Sequence, residues 1–204
     1  MIVIHTDKVH TGLAQVSYAN LEVRLVQQEQ YERGIGSLLW QTPPEEPILM
    51  IGSGDSHGLY LRKHNQELCI KPSETYDMTS IDRLKACMDV PHYVVRNLHA
   101  YSLRKHRGDI IGIWPGAAEF ARRNKLHGLF TDHFLFDYAD AESCGIMTTT
   151  MRINEVNYSL YKTLGKLISA HVPLCQIPKQ LEQCALSKLS LQLENHKNFI
   201  CLAP

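Results

Sequence analysis

Residues 46–65, EPILMIGSGDSHGLYLRKHN, constrain the fold of this chain more than any other stretch. Ile48–Ile51 is a short apolar run of the kind that forms a buried strand, and Leu59 and Leu61 alternate with polar side chains as in a second strand. A glycine loop that binds phosphate leads into a helix, whose first amides face the anion. Because the loop at 52–58 leads into a strand instead, it predicts a β-hairpin turn, and the sequence predicts no cofactor.

The composition predicts a globular chain with a core of its own. Hydrophobic residues make up 44% of 204 residues, and 21 basic side chains balance 21 acidic ones. The zero net charge gives no general preference for nucleic acid or for membranes. The N-terminus is apolar for only four positions, too few for a secretory signal, and no run approaches the roughly 18 apolar residues of a membrane span. These features predict a cytoplasmic protein that does not bind membranes.

The cysteine and histidine patterns predict no metal centre. None of the six cysteines stands in a CxxC pair, so buried free thiols are expected rather than a zinc site or a disulfide framework. His133 and Asp137 would share one face of a strand and could ligate a metal, but Asp132 would point the other way and no third ligand is fixed by spacing. The alternative is that these side chains lie on the solvent-exposed outer face of a sheet, and this is the interpretation that the sequence favours.

Helical periodicity fills much of the middle of the chain. A helix is predicted over 81–89 and another from Pro91, where Val94, Leu98 and Tyr101 recur at helical spacing. A short strand, DIIGIW, and a short helix, AAEFARRNK, follow.

Residues 126–151 predict an antiparallel hairpin. In LHGLFTDHFLFDY the alternate residues Phe130, Phe134, Phe136 and Tyr138 form one apolar face, and CGIMTTTM is rich in the β-branched residues of a returning strand.

The chain changes character near position 152. Ile153 begins an amphipathic pattern that predicts a long helix, and two short helices are predicted around 177–184 and 186–193, with no strand in this part. The predicted fold is therefore α/β (α+β), with an antiparallel sheet flanked by helices in a domain at 1–151 and an all-helical segment at 152–204.

Two stretches resemble sensory regulators. Pro47, Ile48, Asp55, Gly58 and Asn65 follow the order in which PAS-type sensors carry a proline, an apolar strand, Asp-x-x-Gly and Asn. The segment EFARRNKLHGLFTDHFLF, together with SCGIMTT, resembles the closing part of LuxR-type ligand-binding domains, where a helix leads into two strands beside the pocket. The resemblance implies that 1–151 is a sensory domain. The aromatic residues expected to line its pocket are Trp114, Phe134 and Phe136.

The C-terminal segment has two interpretations, and the first is a reduced helix-turn-helix, which both families often carry. Three helices suffice for such a module, and the third would present side chains suited to base edges and phosphates. A helical cap on the sheet or a dimerisation hairpin is the alternative. The predicted nucleic-acid-binding residues are Lys179, Lys188, Ser190, Gln192, Asn195 and Lys197.

A basic stretch between His92 and Phe130 carries a net charge of +5. Such a cluster could bind phosphate or a nucleic-acid backbone, or it could be two solvated helix C-termini whose cations match the helix dipoles. The charged residues are Arg96, Arg104, Lys105, Arg107, Arg122, Arg123 and Lys125 against Asp109 and Glu119.

The leading functional hypothesis is a transcriptional regulator in which a ligand shifts the helix that begins near Ile153 and so alters dimerisation or DNA contact. Its predicted partners are DNA, a small-molecule ligand and a second copy of the chain. One alternative is a small transferase or hydrolase that uses Cys144 with His133 as a thiol–imidazole dyad. The other is a structural adaptor, for which an exposed apolar patch is the expected sign.

Overall fold

The computed structural model describes residues 1–6, 12–26, 28–63, 90–106, 110–185, 195 and 198–203. In these ranges the chain forms a six-stranded sheet with helices on both faces, and a second, three-stranded antiparallel sheet. The α/β class predicted from the sequence is confirmed. The strands are β1 (Ile2–His5), β2 (Arg24–Leu25), β3 (Ile48–Ile51), β4 (Gly54–Asp55), β5 (Gly58–Lys63), β6 (Val90–Arg96), β7 (Ile110–Ile113), β8 (Gly128–Thr131) and β9 (Phe199–Leu202).

The main sheet has the strand order β2-β1-β3-β7-β8-β9. Its first five strands are parallel, and β9 pairs antiparallel with β8. Strands β1, β3, β7 and β8 are buried along their whole length, which matches their short, continuous apolar runs, because a parallel sheet is covered on both faces. The chain leaves β1 towards β2 on one side and then returns to β3 on the other, so the sheet has a switch point between β1 and β3.

Alternate residues of the strands feed two separate cores. Ile4, Met50 and Phe130 belong to one core, on the face covered by the helices that hold Leu39 and Phe120. The residues that alternate with these along each strand point to the opposite face of the sheet and belong to a second core. That second core contains Val3, Leu49, Ile111, Leu129, Leu160 and Leu164.

The helices flank the sheet and are numbered in chain order. The longest carries a Thr149 cap, whose side chain accepts a hydrogen bond from the Arg152 amide at 3.2 Å. Its Gly165 lets it approach the 3₁₀ helix at 12–17, since a Cβ there would lie 2.7 Å from the Ser17 carbonyl oxygen. The helices are α1 (Gln28–Gln41), α2 (Ala100–Leu103), α3 (Ala117–Arg123), α4 (Tyr138–Ser143), α5 (Thr150–Ser169) and α6 (Ile177–Ala185).

The strand predictions at 46–65 are confirmed in position and corrected in pairing. Ile48–Ile51 is β3, which lies in the main sheet, and the hairpin is formed by β4 and β5. The main sheet is mostly parallel rather than antiparallel. Strand β6, which extends the hairpin into the three-stranded sheet, occupies the positions where a helix from Pro91 was predicted. That helix prediction is wrong as far as Arg96, and helical structure begins at Asn97.

The hairpin predicted at 126–151 is also wrong. Gly128–Thr131 pairs with β7 and β9, and the residues that follow form a loop and α4, not a returning strand. The apolar alternation had a different cause: Phe130 lies in a strand, whereas Phe134 and Phe136 pack from a loop into the core of the other face.

The segment from position 152 is not all-helical. The predicted long helix and the helix near 177–184 are confirmed as α5 and α6, but Phe199–Leu202 is a strand of the main sheet. The helices predicted at 81–89 and 186–193 lie outside the described residues. Within the described ranges, no helix combines the length and the apolar character needed to cross a lipid bilayer.

Candidate functional site

The polar side chains that could do chemistry meet where the parallel strands end. Binding sites of open α/β sheets lie at the carboxyl ends of the strands, near a switch point. After β3 the chain makes the tight hairpin β4–β5, and after β7 it turns at Pro115 and Gly116. The two turns touch, because a Cβ on Gly116 would lie 2.8 Å from the Ser56 amide nitrogen. The left-handed φ of 79° at Gly116 also favours glycine there.

Asp55 organises this edge. One carboxylate oxygen accepts a hydrogen bond from the His57 amide at 2.7 Å, and the other accepts one from the Tyr93 hydroxyl at 2.6 Å. Its backbone carbonyl accepts a hydrogen bond from the Trp114 indole at 3.0 Å. The hairpin turn, strand β6 and the end of β7 are therefore tied to a single residue.

His57 lies at the tip of the hairpin turn with most of its side chain in solvent. Its Nδ1 is 3.4 Å from an Asp55 carboxylate oxygen. A carboxylate beside Nδ1 orients the imidazole, as in sites where the other ring nitrogen reacts or binds a ligand. Desolvation, with a further contribution from the Asp55 carboxylate, raises the pKa of Tyr93 to about 12, so this phenol stays protonated at neutral pH.

A groove of about 490 Å³ opens beside this cluster, and we call it the edge groove. It combines an exposed guanidinium, a phenol, an imidazole, an amide and an exposed leucine. The lining residues are His57, Tyr93, Arg96, Asn97 and Leu98.

Hydrogen bonds from neighbouring helices contact residues at and beside the edge groove. The Asn124 amide donates to the Asn97 side-chain oxygen at 3.0 Å, which joins the end of α3 to the groove. Arg123 reaches the Ser56 hydroxyl at 3.5 Å and also pairs with Glu119. Burial lowers the pKa of His99, and the Arg96 charge lowers it further, so His99 is neutral beside the groove.

Two other concave regions are less suited to a ligand. A pocket of about 20 Å³ between Ser53, Pro115 and Asp140 has room for roughly one water molecule. A groove of about 690 Å³ lies between the 3₁₀ helix at 12–17 and α5, where Lys162 and Lys166 face solvent. The part of its lining that the structure describes contains no imidazole, guanidinium or carboxylate group.

The predicted aromatic pocket is not formed. Trp114 is 0% exposed and belongs to the core of one sheet face, whereas Phe134 and Phe136 belong to the core of the other face, with ring centroids 4.6 Å apart. Among the described residues these three side chains line no common cavity. They are core residues, except that Phe136 also touches the water-sized pocket.

The alternative catalytic pair is not brought together by a hairpin. Cys144 ends α4 as an exposed free thiol, with the Ser143 hydroxyl 3.9 Å from its sulfur. His133 is exposed in the loop before Phe134. In the described part of the chain the structure shows no contact between the two side chains, and no cluster of three or more His, Cys, Asp or Glu that could hold a metal ion.

Asn195 is buried and does not face solvent, contrary to the prediction that it binds nucleic acid. Its side chain accepts from the Leu135 amide at 2.8 Å and donates to the Leu135 carbonyl at 3.0 Å and to Asn157 at 2.7 Å. These bonds occupy the groups that would read a base. Lys179 is exposed on α6. The other predicted contacts, Lys188, Ser190, Gln192 and Lys197, lie outside the described residues.

The sequence patterns did not bring the residues of the edge groove together. The signal in the sequence was the Asp-Ser-His-Gly turn, where a carboxylate and an imidazole two positions apart follow a buried strand. Arg96 was noted only as one of the basic residues that could bind phosphate, and Tyr93 carried no signal, because its segment was assigned to a helix. In comparisons with known proteins, no family model matches this chain and no curated protein shows significant similarity to it.

Proposed function

We propose that this protein is a regulatory binding protein that recognises an anionic group in the edge groove. The observation that carries the proposal is the convergence of Arg96, Asn97 and His57 on one groove, where β6 ends beside the tip of the β4–β5 hairpin. Arginine recognises carboxylate and phosphate groups through paired donors, and the amide and imidazole supply further donors. Leu98 and Tyr93 add apolar surface for the remainder of the ligand.

The groove is connected to the core in a way that suits a sensor. Tyr93 bonds to Asp55, and Asp55 bonds to the buried Trp114 indole. A ligand that displaces either the phenol or His57 would change the hydrogen bonds of Asp55, and so bias the turns after β3 and β7. A ligand shifts such an equilibrium only by its difference in affinity for the two states.

DNA binding by the C-terminal helices and dimer formation stay predictions. Asn195 does not support the former, since its amide is used inside the protein. A salt-dependent titration with random duplex DNA tests it, using the double substitution Lys188→Glu and Lys197→Glu. Salt-sensitive binding that the double change abolishes would support a DNA reader, and no binding at low salt would exclude one.

The proposal is tested by following the His57 ring signals in NMR while inorganic phosphate and citrate are added. Assignment comes from His57→Gln. We expect a saturable shift of the His57 signals. The affinity for the anion obtained from this titration should fall about tenfold or more in Arg96→Gln, because the main cation of the groove is gone. Arg152→Gln is the matched control, since Arg152 is a partly exposed arginine on α5 that pairs with Glu155. Equal shifts in both variants, or no shift in the wild type, would refute the anion site.

An acid–base enzyme is the second candidate, and its specific support is the His57 Nδ1 that lies 3.4 Å from Asp55. Turnover of a small ester or phosphate substrate that both His57→Gln and Asp55→Asn abolish would favour this candidate. Binding without turnover would favour the regulatory one.

A further inference from the structure

A second feature adjoins the edge groove: three large apolar side chains stand in solvent together. Trp40 is 59% exposed at the end of α1, Tyr101 is 68% exposed on α2, and Leu98 is 60% exposed in the turn before α2. The two rings are stacked, with centroids 5.7 Å apart and planes inclined by 17°. We call these three residues the aromatic patch. Leu98 also lines the edge groove, so the two surfaces are continuous.

The patch is not required by the packing of the segment that carries it. In residues 97–103 the buried side chains are Ala100, Ser102 and Leu103, which face the core. Leu98 and Tyr101, three positions apart, face outward on one side of the helical turn, and Lys105 follows one turn later. Trp, Tyr and Arg are the residues most enriched where binding energy concentrates in protein interfaces.

The aromatic patch is held in place before any partner binds. The Lys105 ammonium lies 5.9 Å from the centre of the Trp40 ring and donates a hydrogen bond to the Trp40 carbonyl. One ring face of Trp40 is thus covered by a cation, and Tyr101 stacks on the indole. Such pre-organisation lowers the entropy cost of binding, because the rings are already ordered.

Charge identifies the chemistry of the partner. The described segment 90–106 contains Arg96, Arg104 and Lys105 and no carboxylate. Beside the groove, Arg123 reaches the Ser56 hydroxyl at 3.5 Å, and this guanidinium already pairs with Glu119. The partly exposed Asp55 carboxylate beside the groove already accepts hydrogen bonds from the His57 amide and the Tyr93 hydroxyl, so the cationic side of this surface is formed by Arg96, Arg104 and Lys105.

We propose that the edge groove and the aromatic patch together bind an acidic peptide segment of a partner protein, with an apolar side chain anchored on Trp40, Leu98 and Tyr101 and carboxylates on Arg96, Arg104 and Lys105. This inference rests on the proposed function for the role of Arg96 and adds the class of ligand. An exposed leucine beside the rings fits an apolar protein side chain better than a nucleobase, for which stacking surfaces alone would suffice.

The test is selection of a random 12-residue peptide library on the full-length protein, with counter-selection on the double variant Trp40→Ala and Tyr101→Ala. We expect enriched peptides to be acidic and to share at least one large apolar residue. Binding of a selected peptide is then measured for every variant by the anisotropy of a fluorescent label on the peptide, and for the wild type also by tryptophan fluorescence. The chain has only two tryptophans and Trp114 is buried, so a change in emission on binding reports Trp40.

We expect Trp40→Ala to weaken a selected peptide about tenfold or more, and replacement of the apolar anchor of the peptide by alanine to do the same. Arg104→Gln alone, which leaves the Lys105 contact with Trp40 intact, should weaken binding of the acidic peptide and leave binding of a neutral variant of that peptide unchanged. Leu13→Ala removes an exposed apolar side chain elsewhere and serves as the control.

Several outcomes would overturn the inference. Enriched peptides that are neutral or basic, or no enrichment over the counter-selection, would refute an acidic partner. Tighter binding of a 12-nucleotide oligo(dT) than of any selected peptide would assign the surface to single-stranded nucleic acid, and self-association lost on Trp40→Ala would assign it to a second copy. Failure of the proposed function is distinguishable, because it appears as loss of the His57 signal shift with phosphate while peptide binding to the patch persists.

Discussion

The two tryptophans of this chain occupy opposite environments. Trp114 lies at the end of a parallel strand, is fully buried, and donates its indole hydrogen to a backbone carbonyl. Trp40 lies at the end of a helix, is mostly in solvent, and contacts one tyrosine and one lysine. The difference shows that aromatic residues in a sequence do not identify a binding surface. The neighbouring residues determine whether an aromatic side chain is buried. Gly54 and Gly112 make the space that Trp114 fills, because a Cβ at either position would lie under 3 Å from its ring.

Replacing Trp114 should have the largest effect on stability. We expect Trp114→Ala to lower the free energy of unfolding by about 3–5 kcal/mol, since it opens a large cavity and leaves the Asp55 carbonyl without its indole donor. Urea denaturation measures the change. If the variant does not fold, Trp114→Phe keeps part of the volume and should still cost stability. A loss under about 1 kcal/mol for Trp114→Ala would contradict the packing described here.

The buried amide network should come next. Asn157 donates to the Leu135 carbonyl at 2.8 Å and accepts from Asn195 at 2.7 Å, and both asparagines are buried. We expect Asn157→Ala to cost about 1–3 kcal/mol, because buried polar groups lose their partners. Asn154→Ala, on the exposed side of the same helix, is the control and should be neutral or slightly stabilising. Equal effects of the two substitutions would mean that the network contributes nothing.

The strands of the main sheet show how much of the fold the sequence predicts. The short runs ILMI and DIIGIW predicted strands correctly, since four consecutive apolar residues in a fully covered sheet leave a clear pattern. The pattern does not say whether neighbours run parallel, because that depends on contacts between distant segments. Strand Phe199–Leu202 was missed for the same reason: it is specified by its pairing with β8 and not by its own composition.

The candidate site was less predictable than the fold. Asp55 and Tyr93 are 38 positions apart and meet only because β5 and β6 pair. Residues Val94, Leu98 and Tyr101 happen to show helical spacing across a boundary between a strand and a helical turn, so periodicity concealed that boundary. The exposed pair Trp40 and Tyr101 comes from two helices, and no local pattern links them.

Alkaline pH should weaken the edge where Tyr93 contacts Asp55. The pKa of Tyr93 is raised from 10.0 to about 12 in the folded protein, and that of Tyr18 is likewise raised to about 12 by burial. A raised folded-state pKa means that the stabilisation is complete below pH 10 and is lost as the pH rises towards 12. We expect Tyr93→Phe to remove one late-titrating phenol from the absorbance at 295 nm and to reduce the loss of stability between pH 10 and 12. If the phenol that Tyr93→Phe removes titrated near pH 10 instead, the raised pKa and the contribution of Asp55 to it would be contradicted.

Removing the polar group of Tyr161 should not destabilise the protein, in contrast to removing that of Asn157 on the same helix. Its hydroxyl is buried without a hydrogen-bond partner in the described part of the structure, and burial raises its pKa well above the ordinary value. We expect Tyr161→Phe to leave stability unchanged or to raise it by up to about 1 kcal/mol, because an unpaired buried hydroxyl is removed while the stacking on Phe134 stays. Thermal unfolding measures this, and a clear loss of stability would reveal a partner for the hydroxyl.

Trp40→Ala should have the smallest effect on stability. The exposed stack and the Lys105 contact are each worth about 0.5–1 kcal/mol at most in solvent, and alanine restores helix propensity at the end of α1. We therefore expect Trp40→Ala to change the free energy of unfolding, measured by urea denaturation, by less than about 1 kcal/mol. The corresponding change for Trp114→Ala is about 3–5 kcal/mol. If Trp40→Ala proved as costly as Trp114→Ala, the aromatic patch would be part of the fold, and its exposure could not be attributed to a partner. A small cost leaves an ordered pair of aromatic rings that the folded protein does not need for its own stability, and a binding function is the simplest physical account of why they stand in solvent.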